Sequence, residues 1–216
     1  MKNKILSILC IGMIIPTLSQ NNKVVINDIS DIYYAEIKYK SPSYDIYFKG
    51  DIKIFNKHNK TVLIQLESKE LLKNNWENLN EIKYKDQSNI IYEDFNFDGR
   101  KDFAILDSYS GPYGSPTYKI YLYQKENFTY NKSFSELAHQ YMGIFQIDSC
   151  KKELITYKKS GCCFHEKTKF IIIKDNKLTP NLMIIDINDP EGQSGRTIKK
   201  FTQGKWVTIS KTIINH

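Results

Sequence analysis

One short segment of the chain places oxygen-bearing side chains at alternating positions. In the loop 94–102, Asp or Asn stands at positions 1, 3, 5 and 9, and Gly99 stands at position 6, where a sharp turn suits glycine. Ca²⁺ is a hard cation that binds about six to eight oxygen atoms, and a tight loop can direct alternate side chains at one point. The sequence therefore predicts a calcium site, and its expected ligands are Asp94, Asn96, Asp98, Arg100 (through its carbonyl oxygen) and Asp102.

This loop differs from an EF-hand. Position 12 is Ile105 instead of Glu, and the residues from Asp102 onward have the pattern of a strand instead of a helix. An alternative is a turn in which the Asp and Asn side chains accept hydrogen bonds from their own backbone. We expect a structural role for the ion, because three of the four oxygen-bearing side chains are ionised and repel one another.

The loop 108–118 has a different composition. It contains two glycines, two prolines and three tyrosines. Prolines stiffen a loop, and a preorganised loop loses less conformational entropy when it binds. Tyrosine offers a large, rigid surface with a polar tip. The composition predicts a binding loop, and the alternative is a long structural hairpin loop.

Ser110-Gly111-Pro112-Tyr113 matches the SGxY signature of the periplasmic lysozyme inhibitors, above all the i-type inhibitors, and the chain resembles that family. The wider block 92–123 is similar to a related bacterial family, some of whose members are exported, calcium-binding immunity proteins against lysozyme-like effectors of secretion systems. The segment 160–165 also resembles part of that family.

The resemblance implies a β domain that inserts this loop into the active-site cleft of a lysozyme-like glycoside hydrolase. Ser110, Gly111 and Tyr113 would then be the target-binding residues. The two hydroxyls would face the pair of carboxylates that glycoside hydrolysis requires. Such a plug needs no chemistry of its own, and we expect no catalytic residues and no enzyme activity.

The N-terminus predicts export. A basic head with Lys2 and Lys4 precedes an almost purely apolar run over residues 5–18, which is typical of a secretory signal peptide. The run is shorter than the roughly 20 residues that span a bilayer. We predict a signal peptide at 1–19, a periplasmic or secreted product, and no transmembrane anchor after its removal; the alternative is an uncleaved anchor.

The charge balance bears on the partner. The formal net charge is +7, and it falls to +5 if residues 1–19 are removed, because Lys2 and Lys4 are lost. Export and the scattered placement of lysines argue against nucleic acid. A basic inhibitor is repelled by a basic lysozyme. We therefore expect either a neutral or acidic target or a locally negative loop, for which Glu93, Asp94, Asp98, Asp102 and Asp107 are the candidates.

Three cysteines follow the predicted signal peptide: Cys150, Cys162 and Cys163. An oxidising compartment permits a disulfide, and the odd number leaves one thiol over. Cys150 with either of the others, or a vicinal bond, are all open. A zinc site is disfavoured, because strand alternation places Cys163 and His165 on one face and Cys162 on the other. The acidic stretch 186–189 lacks a suitable glycine and is interpreted as a solvated turn.

Alternation of apolar and polar residues dominates the chain after residue 30 and predicts antiparallel strands, among them 90–93, 102–107, 117–124 and 143–149. Helices are expected at 68–80 and at 133–142, where Ser133 and Glu136 would form a capping box. Gln203-Gly204 predicts a hairpin turn. We predict a single all-β domain over 20–216, mainly antiparallel, forming a barrel, sandwich or propeller-like fold with one or two short helices.

Two functions are consistent with these features. The first is an exported, calcium-stabilised inhibitor of a lysozyme-like peptidoglycan hydrolase. The second is a calcium-stabilised structural or ligand-binding envelope domain that inhibits no lysozyme. The second function predicts that the hydroxyls of Ser110 and Tyr113 are buried and hydrogen-bonded inside the domain.

If loop 94–102 holds Ca²⁺, a chelator should lower the melting temperature by several degrees, because the carboxylates then repel one another without the ion. Asp98→Ala should remove this sensitivity. Thermal melting with chelator and with added Ca²⁺ measures both effects. An identical melting temperature under the two conditions would contradict the calcium assignment.

Overall fold

The computed structural model describes residues 21–40, 47–72, 89–188 and 193–215. The predicted signal peptide lies outside the described residues. Within them the chain forms fourteen strands and one α-helix, which confirms the predicted all-β class. The elements are β1 (Asn21–Ile26), β2 (Tyr33–Lys40), β3 (Tyr47–Asn56), β4 (Val62–Leu72), β5 (Ile90–Glu93), β6 (Asp102–Ser108), β7 (Thr117–Gln124), β8 (Asn127–Tyr130), α1 (Lys132–Gln140), β9 (Gln146–Asp148), β10 (Glu153–Ser160), β11 (Phe164–Ile173), β12 (Lys177–Ile187), β13 (Gln193–Thr202) and β14 (Lys205–Asn215).

The strands form three antiparallel sheets. The first has the order β1-β2-β3-β4 and the second the order β5-β6-β7-β8. The third runs β14-β13-β12-β11-β10-β9, so in every sheet neighbours in space are neighbours in the chain. Among the described strands no sheet closes into a barrel, which removes the barrel from the forms that the sequence left open. Short connections favour this arrangement, because they place consecutive strands side by side.

The second sheet has a hydrophobic core on each of its faces. In β6, Phe103 and Ile105 belong to the core shared with the first sheet, whereas Ala104 and Leu106 belong to the core that includes α1 and parts of the third sheet. Successive residues of a strand point to opposite faces, which explains the division. All four side chains are fully buried. The near-continuous apolar run of β6 is typical of a strand buried on both sides.

An aromatic cluster forms the centre of the first core. The ring of Phe103 lies 4.6 Å from that of Tyr92, 4.8 Å from Phe128 and 5.8 Å from Tyr33, measured between centroids. Two of these contacts are edge-to-face, an arrangement that aromatic rings prefer. The cluster joins β2 of the first sheet to β5, β6 and β8 of the second.

Helix α1 confirms one predicted helix but not its cap. Asn131, and not Ser133, is the cap residue, and its side-chain oxygen accepts the backbone N–H of Phe134 at 3.2 Å. Ser133 lies inside the helix and donates its hydroxyl to Asn131 at 2.9 Å. Ser135 accepts the N–H of Ile120 at 2.9 Å, which ties the helix to β7. The predicted cap lies two residues too late because Asn and Ser are equally good caps, and the expected capping box is absent because Phe134 is the third residue of the helix.

The helix expected at 68–80 is wrong over the part that the structure describes. Residues 68–72 continue β4, where Leu71 pairs with Phe48, while 73–80 lie outside the described residues. The pairing advances three residues in β4, from Ser68 to Leu71, against two in β3, from Gly50 to Phe48, so β4 contains a bulge. An extra residue interrupts the alternation by which a strand is recognised in a sequence.

The third sheet is a meander of long hairpins. The turn Gln203-Gly204 between β13 and β14 has positive φ at both residues, 51° and 78°, as a type I′ turn requires. The predicted hairpin is therefore confirmed. Strands β1 and β8 had not been predicted. The strand expected at 143–149 is reduced to β9, three residues long.

Phe103→Ala should lower the free energy of unfolding by about 3–5 kcal/mol, because it leaves a cavity inside the aromatic cluster. Ile209→Ala on β14 is the control, since that side chain is 59% exposed, and its effect should stay within about 0.5 kcal/mol. Urea denaturation measures both. Equal effects of the two substitutions would contradict the placement of the core.

Candidate functional site

The acidic loop 94–102 connects β5 to β6, and backbone N–H groups of the loop donate hydrogen bonds to its side-chain carboxylates. The carboxylate of Asp94 accepts the N–H of Asp98 at 3.2 Å and that of Gly99 at 2.9 Å. The carboxylate of Asp98 accepts the N–H of Arg100 at 2.8 Å. Phe97 and Gly99 take left-handed conformations, with φ of 62° and 86°. The loop is thus a tight turn in which alternate side chains face inward.

Asp102 is the buried end of this loop. One carboxylate oxygen accepts the N–H of Phe95 at 2.9 Å, and the other accepts the N–H of Tyr123 at 2.8 Å. The pKa of Asp102 is raised to about 7, chiefly by burial; the two hydrogen bonds lower it, and the charges of Asp98 and Asp94 add smaller upward effects. Asp102 is thus the buried carboxylate of the loop, whereas Asp98 is exposed to solvent.

The donor set suits a hard cation in its chemistry, because every candidate ligand offers oxygen. The positions found are those of a hydrogen-bonded turn: among the described residues, no group of three His, Cys, Asp or Glu side chains could hold a metal ion. The side-chain amide of Asn96 also donates to Asp98 at 3.0 Å and to Asn176 at 3.2 Å. The structure therefore shows the turn and leaves calcium binding as a prediction.

The second predicted loop, 108–118, is closed at its neck by hydroxyl groups. The hydroxyl oxygen of Ser108 lies 2.6 Å from that of Ser110 and 3.0 Å from that of Thr117. The N–H of Gly111 donates to the carbonyl of Ser115 at 3.1 Å across the loop. The tip between these contacts is accordingly held by a short network instead of hanging free.

Gly111 is required by this neck. A Cβ at position 111 would lie 2.6 Å from the hydroxyl oxygen of Ser115, 2.8 Å from its carbonyl oxygen and 3.3 Å from the side chain of Thr117. The backbone carbonyl cannot rotate away as a flexible side chain would. The glycine of the SGxY signature therefore has a steric reason in this chain.

Tyr113 is displayed at the tip of the loop. It lies in the short 3₁₀ turn Pro112–Gly114, its φ is 57°, and its side chain is 62% exposed. A left-handed conformation is uncommon for a residue with a side chain. Ser110 is exposed as well. Both predicted target-binding side chains are thus presented to solvent by an ordered backbone.

The hydroxyl of Tyr113 contacts a second hairpin. Its oxygen accepts the backbone N–H of Gly161 at 3.1 Å, and the ammonium of Lys159 lies 4.7 Å from its ring centroid. Gly161 belongs to the turn between β10 and β11. Sequence reasoning missed this contact, because 48 residues separate the partners; its one indication was the resemblance of segment 160–165.

The structure selects one of the cysteine pairings that the sequence left open. Cys162 and Cys163 form a vicinal disulfide in the same β10–β11 turn, while Cys150 is exposed and unpaired. A ring nitrogen of His165 lies 3.3 Å from the carbonyl oxygen of Cys162. The thiols of a zinc site are thus consumed by the disulfide, in agreement with the earlier rejection of zinc.

Three neighbouring segments contact the loop 108–118: β4 and the segment after α1 at its base, and the β10–β11 turn at its tip. The backbone N–H of Tyr109 donates to the carboxylate of Glu70, and Ser68 donates its hydroxyl to the carbonyl of Asp107 at 3.2 Å. On the other side, the hydroxyl of Ser115 donates to the carbonyl of Tyr141 at 3.5 Å. Strand β4 and the segment after α1 therefore position the loop together with the β10–β11 turn.

The five acidic residues expected to make the surroundings of the loop negative either lie at the far end of β6 or are ion-paired. The acidic loop precedes β6 and the binding loop follows it, so the length of β6, about 20 Å, separates them. Asp107 forms ion pairs with Lys119 at 2.9 Å and Lys69 at 4.0 Å, and Glu93 pairs with Lys101 at 3.6 Å. The charge that lies against Tyr113 is instead the positive one of Lys159.

The acidic stretch 186–189 was interpreted as a solvated turn, but its first two residues, Asp186 and Ile187, belong to β12. Asp186 forms a two-point ion pair with Arg196, which lowers the pKa of the carboxyl chiefly by hydrogen bonding. The rest of that acidic stretch, from residue 189, lies outside the described residues.

Among the described helices, none has the length and apolar character needed to cross a membrane.

Comparison with known proteins yields one structural likeness. No family model and no curated protein matches the chain. A solved structure described as that of a Xanthomonas type IV secretion system related protein superposes with a TM-score of 0.67 at 19% sequence identity. The match covers 89% of this chain and 95% of that one. At this identity the likeness shows a shared fold.

Gly111→Ala should open the neck of the loop, because the new methyl group forces Ser115 away. We expect amide hydrogen exchange at position 111 to rise at least about tenfold, with an overpacking cost of about 1–3 kcal/mol. Tyr113→Ala is the control in the same loop, since the side chain of Tyr113 is 62% exposed and takes no part in the contacts of the neck. Unchanged protection at position 111 in Gly111→Ala would contradict the steric argument.

Proposed function

We propose that this protein is an exported, calcium-stabilised inhibitor of a lysozyme-like peptidoglycan hydrolase, of the immunity type. It acts as a plug: Ser110 and Tyr113 enter the active-site cleft of the hydrolase and exclude the substrate. The observation that carries the proposal is the loop itself, which combines the SGxY residues with an exposed tyrosine on an ordered backbone.

The geometry of the loop favours binding in two ways. Its neck is closed by hydrogen bonds among Ser108, Ser110 and Thr117, so little conformational entropy remains to be lost on association. The hydroxyl oxygen of Tyr113 already accepts the N–H of Gly161, so its own proton is available for donation. A carboxylate, which only accepts hydrogen bonds, is the complementary group.

Calcium would act at a distance from this loop. The residues that would hold the ion are Asp94, Asn96, Asp98, Arg100 (through its carbonyl oxygen) and Asp102. The ion supplies positive charge that offsets the repulsion among the three carboxylates. The acidic loop adjoins the end of β6 that is opposite to the loop 108–118. The ion would therefore stabilise the fold and contact no target.

The structural neighbour supports the location of this function. It is named as a protein related to a type IV secretion system, which agrees with an extracytoplasmic role for this chain. We infer a periplasmic or secreted protein whose partner is a lysozyme-like glycoside hydrolase, with no nucleic-acid ligand and no enzyme activity of its own.

One observation favours the alternative, a structural or ligand-binding envelope domain. The hydroxyls of Ser110 and Tyr113 both have hydrogen-bond partners within the chain, as that function requires. It also requires the two side chains to be buried, and both are exposed. The exposure gives the inhibitor the stronger support.

The purified protein should slow cell-wall lysis by at least one enzyme from a panel of c-type, g-type, i-type and effector lysozymes. Tyr113→Ala should weaken that inhibition about tenfold or more, as loss of a central aromatic contact does, without changing the melting temperature. Ile209→Ala is the control, because it removes an exposed apolar side chain from β14.

A panel in which no lysozyme is slowed would count against inhibition and support the envelope domain. Equal weakening by Tyr113→Ala and Ile209→Ala would show that inhibition, if present, does not use this loop.

A further inference from the structure

We propose that the β10–β11 hairpin, residues 159–165, forms the second half of the target-contacting surface, and that Lys159 selects a partner whose cleft carries ionised carboxylates. The inference rests on the proposed function, because it names the partner chemistry of the same site. It adds a contact element and a specificity-determining residue outside the loop 108–118.

The hairpin and the loop share a surface through two contacts. The hydroxyl oxygen of Tyr113 accepts the N–H of Gly161 at 3.1 Å, and the ammonium of Lys159 lies 4.7 Å from the tyrosine ring centroid. An object that covers the exposed ring of Tyr113 therefore also reaches the turn of this hairpin. Cys162 and Gly161, at the turn, are themselves exposed.

The hairpin is a stiff support for these contacts. Strands β10 and β11 pair without interruption up to Ser160 and Phe164, and the disulfide links the two cysteines of the turn. The carbonyl of Cys163 accepts the N–H of Asn188 at 2.9 Å, which holds the turn against the end of β12. The N–H of Gly161 is thus a fixed donor that orients the tyrosine hydroxyl.

Lys159 brings an unneutralised charge to this surface. Among the described residues, no carboxylate forms an ion pair with it. Its side chain is half-buried and faces the tyrosine ring. The nearest groups on its own hairpin are the neutral turn and His165, its cross-strand partner. The charge of Lys159 therefore lies against the ring of Tyr113 with no ion-paired carboxylate among the described residues.

The local charge of Lys159 bears on the repulsion expected between a basic inhibitor and a basic lysozyme. A lysozyme can be basic as a whole and still carry ionised carboxylates in its cleft, where the loop enters. At contact distance the local pair dominates, because charges more than about 10 Å apart are screened at ordinary salt. Lys159 then favours acidic clefts over neutral ones.

Lys159→Met, which keeps most of the side-chain stem, should weaken inhibition of the most strongly inhibited lysozyme of the panel about tenfold at low salt, and less at high salt. Lys158→Met is the matched control: it removes the same charge from the neighbouring residue, which points to the opposite face of β10, and should change inhibition less than about twofold. Equal effects of the two substitutions, or no effect of Lys159→Met, would overturn the role of Lys159.

The contact between hairpin and loop is tested without any target. Amide hydrogen exchange at Gly161 should become severalfold faster in Tyr113→Phe, which removes the accepting oxygen, and should stay unchanged in Tyr157→Phe. Unchanged exchange in Tyr113→Phe would overturn the shared surface even if lysozymes are inhibited. Absence of inhibition across the panel would overturn the proposed function, and with it the partner of Lys159, whatever the exchange result.

Discussion

The burial of β6 on both faces is the constraint on which the rest of the structure depends. A strand with no solvent-facing side must be covered by a sheet on one side and by the helix with the third sheet on the other. Its two ends, Asp102 and Ser108, are buried as well, and each continues into a loop that reaches the surface. The proposed calcium site and the proposed inhibitory loop thus lie at opposite ends of one buried strand.

The end of β6 that carries the loop 108–118 shows how distant parts of a chain produce one surface. Tyr113 is held by a glycine neck on its own loop, yet the orientation of its hydroxyl depends on Gly161, and its electrostatic surroundings depend on Lys159. Overall charge is a poor guide to such a surface, because short-range contacts and not the sum over the chain determine what a cleft meets.

The sequence predicted what is encoded locally. The bounds of β5 and β7 follow from alternation alone, and the residue types of Ser110, Gly111 and Tyr113 identify the loop. The helix expected at 68–80 is wrong over residues 68–72, where a bulge in β4 disturbs the alternation of the strand. The vicinal disulfide was one of the open pairings, and the spacing of the cysteines did not select it. The contact with Gly161 had no local pattern, because it depends on how the third sheet approaches the second. Whether the strands close into a barrel depends on which edges meet, and alternation does not contain that information.

The closed neck of the loop 108–118 has a consequence for protein engineering. The bonds among Ser108, Ser110 and Thr117 seal the loop at its base, and β6 lies between that base and the acidic turn. Residues at the tip, such as Pro112 to Gly114, contribute no buried side chain to the cores. The fold is therefore a scaffold on which new tip sequences can be selected against chosen proteins, as variable loops are selected on an antibody framework.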